Sequence, residues 1–585
     1  MRLSPLVLLV VYCGLAAAKD YKDNDKVPLF VNKIGPYANP HETYHYYQLP
    51  VCRPEKVVHK SLSLGEVLAG DRMAESLYSI NFQHNKQRSP LCPAKVIEGN
   101  DLSQLKEAIE ENYYFEFVID ELPVKNFLGR LDEEGLFPHE HKLFLYTHHH
   151  FMIEFNGVNI ISAKIDVTKE PPLRIDEKAT EVRVEYTYSV EWRQTKIEYS
   201  KRKDVLEDST SFFPKSLEIH WLSVVNSALL VFLLVGFVAL ILVRVVRNDL
   251  IRYNQAGEFE KDGQIDNGWK VLNTDVFRFP KHTNLFCAVL GVGFQLLTIV
   301  VSILVIGSLN LINVHRHGLI NSLSIVLYAL TSCIAGYVSA SYYKKLGGTK
   351  WVWNINCTTA LFSIPMFLVW AVHNSVSWAY QATQALPYTT VIILFLIWMV
   401  VGYPLCVIGG VLGKNFGSRY DAPCRTRNIP RELPSLPWYH STWAFSVLGG
   451  FLPFSAISVE LYYIFATVWG RETYTLFYIL LIVFVILLSV TASVAVALTY
   501  FQLAAEDYNW WWRSVFVGGS TGFFVFVYSL FFYFKRSEMS GLLQTMQYFG
   551  YVGLICYAFF LALGTVSFFA SQKFVRYIYS SVKSD

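Results

Sequence analysis

An acidic side chain stands inside an apolar run. Glu460 lies within residues 443–469, seven residues after Pro453. A carboxylate held in hydrocarbon is costly, so it is a candidate for binding or moving an ion or proton. A proline in such a helix can free backbone carbonyls nearby. The same pair also fits a protonated or hydrogen-bonded carboxylate that only packs helices, and the sequence leaves both readings open. A second constellation is the last three residues, Lys583-Ser584-Asp585. They present an ammonium, a side-chain carboxylate and the terminal carboxylate, a set that a charged pocket can read. The plain alternative is a solvated tail.

Other chemistry is weaker. Gly518-Gly519-Ser520-Thr521-Gly522 matches G-x-S-x-G. It falls in an apolar helix rather than a strand-to-helix turn, and no partner histidine and acid accompany it, so the chain does not read as an enzyme. His139, His141 and His148-His149-His150 form a histidine-rich stretch, 139–150. Neighbouring histidines on a strand point to opposite faces, and no cysteine joins them, so neither a metal nor any other cofactor is expected. A solvated edge or a pH-sensitive surface is the favoured reading, because imidazole titrates near the mildly acidic pH of secretory compartments.

The elements that must hold these residues follow from composition. The 585 residues are 53% hydrophobic and 17% charged, below the quarter usual for soluble domains. Net charge is only +3, so nothing in the charge suggests a nucleic-acid partner. Residues 1–18 read as a signal peptide: Arg2, an apolar stretch at Leu6–Val11 and Ala16-Ala17-Ala18 as the cleavage site. Residues 19–221 are polar. Residues 222–585 contain nine apolar runs, at 222–243, 285–309, 319–343, 352–372, 387–412, 443–469, 474–500, 514–534 and 546–570. Each is long enough to cross a hydrocarbon core roughly 30 Å thick. Alternate loops carry most of the Lys and Arg, including Lys344, Lys345, Lys350, Lys414 and Arg431. The positive-inside rule places those loops and the C-terminus in the cytosol, with Lys535-Arg536 a mild exception. The lipid bilayer is therefore the chain's first partner.

The lumenal segment, 19–221, reads as β-rich and sandwich-like. Residues 181–193 alternate apolar and polar through Val182, Val184, Tyr186, Tyr188, Val190 and Trp192, as one strand with a buried face. Asn156-Gly157 between two apolar runs marks a hairpin. Residues 113–119 also alternate. Residues 101–112 read as a helix capped by Asp101, with Leu102, Leu105 and Ile109 on one face. Cys52 and Cys92, the only cysteines of this segment, are expected to form a disulfide in an oxidising compartment; two buried thiols are the alternative.

Motifs along the chain carry a family resemblance. They are Gly35-Pro36-Tyr37, Asn39-Pro40-His41-Glu42-Thr43-Tyr44, Leu49-Pro50-Val51-Cys52, Leu64-Gly65-Glu66 and Gly70-Asp71-Arg72 in the polar segment. Among the spans stand Gly268-Trp269-Lys270, Asp275-Val276-Phe277-Arg278, Pro423-Cys424-Arg425, Ile429-Pro430-Arg431, Gly449-Gly450-Phe451-Leu452-Pro453-Phe454, Glu460-Leu461-Tyr462, Ala505-Glu506-Asp507-Tyr508 and Trp510-Trp511-Trp512. With nine spans, the chain resembles the transmembrane nine superfamily, the nonaspanins, and within it most resembles member 3. The resemblance implies a Golgi membrane protein, cycling with the ER, endosomes and cell surface, that sorts and delivers other membrane proteins. Cargo would be recognised through its transmembrane segments, and Lys583 and Asp585 would form a retention signal read by coatomer. Gly336 with Ala340, Gly409 with Gly413, and Gly449-Gly450 are small-residue surfaces suited to cargo helices or to the protein's own packing. The other reading is an ion- or proton-coupled transporter or channel using Glu460.

Overall fold

The computed structural model describes residues 20–134, 140–202, 269–309, 318–418, 420–435, 437–470 and 477–580, with scattered positions between 225 and 251. The expected leader, most of the span at 222–243, His139, and the tail residues Lys583 and Asp585 lie outside the described residues.

Two sheets form the centre of the N-terminal domain. In one, strands Tyr44–His45, Leu29–Gly35, Tyr114–Ile119 and Leu122–Phe127 lie side by side, with Ala74–Glu75 also paired to Leu29–Gly35. In the other, the order is Asn159–Asp166, His148–Asn156, Thr187–Gln194 and Lys86–Pro90. Tyr78 joins their inner faces, its ring centroid 5.8 Å from that of Phe117 and 5.2 Å from that of Phe151. Every residue of Tyr114–Ile119 is buried, so both faces of this strand are covered and the alternation read over 113–119 does not mark an exposed face. The Asn-Gly hairpin forms, with Gly157 at φ +61°, a left-handed value that glycine adopts without strain. Cys52 and Cys92 are bonded, tying the first sheet's flank to the chain beside Lys86–Pro90.

The alternation over 181–193 is two strands, not one. Glu181–Val184 pairs with Lys95–Glu98, whereas Thr187–Gln194 pairs with His148–Asn156 in parallel and with Lys86–Pro90. Val184, Tyr186 and Tyr188 are all buried in the same core, so the period of two survives the change of sheet. The helix runs Gly99–Glu110 and buries Leu102, Leu105 and Ile109, but Glu98, not Asp101, precedes it.

The C-terminal part is a bundle of helices. Among the described residues, eight are long and apolar enough to cross a membrane: Thr283–Ser308, Leu319–Lys345, Trp351–Ala379, Tyr388–Phe416, Thr442–Gly470, Phe477–Ala504, Trp510–Lys535 and Leu542–Ser580. Each coincides with an expected span. The last, 39 residues, is about 58 Å long at 1.5 Å per residue, so it projects beyond the hydrocarbon core.

The glycines expected as helix-docking surfaces are occupied by the protein itself. A Cβ on Gly336 would strike the Cys406 carbonyl, one on Gly409 the Cys333 carbonyl, and one on Gly413 the Tyr337 carbonyl. The 319–345 and 388–416 helices thus pack backbone to backbone, the use that small residues serve inside a bilayer. Gly449 and Gly450 meet Val517 and Ser520 in the same way. The G-x-S-x-G segment is likewise a packing surface: Gly518, Gly519 and Gly522 abut Leu563 and Ser567, Phe560, and Cys556 on the last helix.

Candidate functional site

The N-terminal domain is fastened to the helix ends on its own side of the membrane. Ser63 begins the short Leu64–Leu68 helix with a reciprocal cap: its hydroxyl accepts from the Glu66 N–H, and its own N–H donates to Glu66. This brings Gly65 against Gly318, at the start of the 319–345 helix, with no room for a Cβ on either. The Thr43 and Thr383 hydroxyls lie 2.6 Å apart, and the Thr383 N–H donates to the Thr43 carbonyl at 2.8 Å. Arg72 donates to the Ala385 carbonyl at 2.6 Å, and Gln48 to that of Gln381 at 3.1 Å. At the far edge, His41 lies 3.0 Å from the Val468 carbonyl and edge-on to Trp469, and its N–H donates to Gln544. The Ser540 N–H donates to Asn39 at 2.9 Å. These anchors sit at the ends of the 319–345, 351–379, 442–470 and 542–580 helices, and in the turns between them.

Behind the joint lies a buried polar network. Asn32 donates to Asp71 and to Glu116, each at 2.9 Å, and accepts from the Arg72 N–H at 2.8 Å. Lys33 pairs with Asp71 at 3.0 Å, and Lys125 with Glu116 at 3.1 Å. Burial opposes the Lys33 charge, but Asp71 and Glu116 outweigh it and hold the ammonium well above its ordinary range. Asp71 pairs within the domain through its Oδ1, while Arg72 reaches the membrane half. The tripeptide noted in sequence is therefore a connector, which local pattern alone did not reveal.

The opposite ends of the helices form a second assembly. Asp275 pairs with Arg278, which also donates to the Arg427 carbonyl at 2.8 Å. Arg431 pairs with Glu506 at 2.8 Å. Asp507 is buried between Arg513 at 2.8 Å and Gln502 at 2.9 Å, and Arg513 also lies over the Phe445 ring. The Trp510 indole donates to the Val276 carbonyl, and the Tyr579 hydroxyl to that of Trp269.

Glu460 is 4% exposed on the 442–470 helix, and its Oε2 has no hydrogen-bond partner among the described residues. Ile457, one turn before it, packs on Leu487 and Leu563. Pro453 is buried two turns away, and the helix continues through it. Pro453 and Glu460 thus share a helix, but the structure does not bring a freed carbonyl to the carboxylate.

The His148-His149-His150 run is not a solvated edge. His148, His149 and His150 are all buried. His149 faces the core, 2.6 Å from the Tyr78 hydroxyl, and burial pushes its pKa down to about 3. His148 and His150 share the Ser189 hydroxyl on the other face, at 2.9 and 2.7 Å. His148 also reaches Thr187, and His150 reaches Glu191 and Lys169. Burial lowers both, with Lys169 adding to the shift at His150. No group of three or more metal-ligating side chains occurs among the described residues.

Together these features define a multi-pass α-helical membrane protein with a β-rich extramembrane domain bolted to one end of its helices. A family model described as endomembrane protein 70 matches residues 43–542. The chain belongs to that family, whose members bear the name transmembrane 9 superfamily. Member 1 of Bos taurus is 57% identical over 99% of this chain and 98% of its own length. A member 3, of Arabidopsis thaliana, is 46% identical over 100% of both, so relatives named member 1 are more similar than this one. A protein of Dictyostelium discoideum named putative phagocytic receptor 1b is 44% identical over 97% of this chain and 95% of its own. No solved structure matches.

Proposed function

We propose that the protein is a receptor or chaperone for other membrane proteins in the Golgi and endosomal membranes, sorting them and promoting their surface delivery. The observation that supports this reading most is the joint. Thr43 and Arg72 hold the turn between the 351–379 and 388–416 helices, His41 the ends of the 442–470 and 542–580 helices, and Gly65 the start of the 319–345 helix. An event on the domain is thereby coupled to helix positions in the bilayer. The relative named as a phagocytic receptor agrees with a receptor role. Cargo segments would contact the lipid-facing sides of the Trp351–Ala379 and Tyr388–Phe416 helices, which bury the least of their length inside the bundle. Gly409 and Gly413 are not available for this, being packed on the 319–345 helix. In this reading coatomer takes Lys583 and Asp585 in the cytosol, and the N-terminal domain is lumenal.

The test is proximity labelling and imaging of the intact protein beside a Lys583→Ala/Asp585→Ala variant. Loss of Golgi retention together with loss of membrane-protein neighbours is expected; unchanged localisation refutes the tail reading. The buried Oε2 of Glu460, without a hydrogen-bond partner among the described residues, favours a second reading, ion- or proton-coupled transport. Flux in proteoliposomes that disappears in Glu460→Gln would establish it.

A further inference from the structure

Between Leu319 and Tyr420 the chain contains no Asp or Glu, yet it carries Lys344, Lys345, Lys350, Lys414 and Arg419. Lys344 and Lys414 meet in space, with Lys345 and Lys350 close to them along the chain. Lys344 donates to the Lys414 carbonyl at 2.7 Å and lies 3.5 Å from that of Asn415. The Lys414 ammonium lies over the Trp351 ring at 4.5 Å, next in sequence to Lys350. Lys345 follows Lys344 and lies over the Tyr342 ring. Backbone contact between the 319–345 and 388–416 helices, through Gly336, Gly409 and Gly413, is what brings residues 344 and 414 to one corner.

Among the described residues no carboxylate is paired with any of the four. Unit charges of one sign a few ångströms apart repel, by about 1 kcal/mol per pair at 4 Å even in water. An anion gathered at the corner removes that penalty. The depth of the corner indicates its source. Val352 and Trp353 on the first turn of the 351–379 helix, and Leu412 and Phe416 on the last turns of the 388–416 helix, are exposed apolar side chains, Trp353 at 65% and Phe416 at 75%. They belong in the acyl region, with tryptophan at its border. Lys350 and Lys414 lie at that border too, at headgroup depth. The corner is also at the end of the 319–345 helix remote from Gly318 and the soluble domain, about 40 Å away along 27 residues.

We propose that this lysine corner is a binding site for the phosphate-bearing headgroup of an anionic phospholipid, in the leaflet opposite the N-terminal domain. Lys350 and Lys414, both exposed, contact the phosphate, and Lys344 and Lys345 supply flanking charge. Trp351 and Trp353 hold the acyl border. The site ties lipid composition to the packing of three spans.

The experiment uses the intact protein in nanodiscs of phosphatidylcholine alone, or with about one-fifth phosphatidylserine or a phosphoinositide. Thermal unfolding and mass spectrometry of retained lipid are the readouts. The expected result is a higher Tm with either anionic lipid. K344Q/K345Q/K350Q/K414Q should lower retained anionic lipid about tenfold or more, since each lysine near a charged surface matters. Its Tm in neutral nanodiscs should be equal to or above that of the unaltered protein, since the repulsion is gone. K350Q/K414Q, which touches no backbone-bonding ammonium, serves if the fourfold variant fails to fold and should lose most of the shift. Equal retention by variant and unaltered protein overturns the proposal. So does an equal Tm rise produced by inorganic phosphate in neutral nanodiscs, which would make the ligand a soluble anion.

Discussion

Thr43 and Thr383, 340 residues apart, are joined by three contacts: hydroxyl to hydroxyl at 2.6 Å, and the Thr383 N–H and hydroxyl to the Thr43 carbonyl at 2.8 and 3.3 Å. One residue belongs to the soluble domain and the other to the turn between two membrane helices. Their pairing makes the domain a fixture of the bundle rather than a tethered appendage.

Disturbing the joint should therefore be visible without unfolding either half. Gly318 has φ +70° and abuts Gly65, so Gly318→Val adds both backbone strain and a clash. Overpacking of this kind costs about 1–3 kcal/mol. Hydrogen exchange of residues 43–48 and 381–386 should speed up, while Tyr114–Ile119 at the domain centre stays protected. Unchanged exchange at the joint would show that the contact contributes little.

On the opposite side, Asp507 depends on Arg513. Arg513→Met leaves a buried carboxylate without its partner and should cost about 3–5 kcal/mol. Adding Asp507→Asn should recover part of that loss. A double-mutant cycle from denaturation in detergent measures the coupling; additive effects would contradict it.

Acid should weaken the soluble domain. His149 has a folded-state pKa near 3, against 6.5 unfolded, because burial disfavours the imidazolium. The unfolded chain then binds more protons than the folded chain below pH 6.5. The stabilisation is complete above pH 6.5 and is lost progressively as pH falls toward 3, by about 1.4 kcal/mol per pH unit from this one group. His148 and His150 act in the same direction. His149→Phe should flatten the pH dependence of thermal unfolding; an unaltered slope would mean other groups govern it.

Removing the disulfide should loosen the same domain. Cys52 and Cys92 are 40 residues apart, and closing a loop of that length stabilises by about 4 kcal/mol in the chain-entropy account. Cys52→Ser should lower the unfolding temperature of the full-length protein and expose the domain to protease. An unchanged Tm would remove the disulfide from the list of stabilising features.

What local sequence could determine, it determined well. Each apolar run from 285 onward is a helix, because about 20 apolar residues in hydrocarbon must satisfy their own backbone, although the runs expected to end at 372 and 570 continue to Ala379 and Ser580. The hairpin at Asn156-Gly157 follows from φ values that few other residues adopt. The split at 185–186 was invisible, because two strands facing one core keep a single alternation. The motif residues Asn39–Tyr44 and Gly70–Arg72 could be seen as distinctive, but not as a joint, since their partners are hundreds of residues away. Tertiary packing also decided that Gly336 and Gly409 serve the protein's own helices, that Glu460 is buried in the bundle, and that Lys344 meets Lys414. The physical reason is common to all of these. Periodicity records which side of an element is apolar, whereas the identity of the neighbour on that side is settled only when backbones approach closely enough for shape and charge to match.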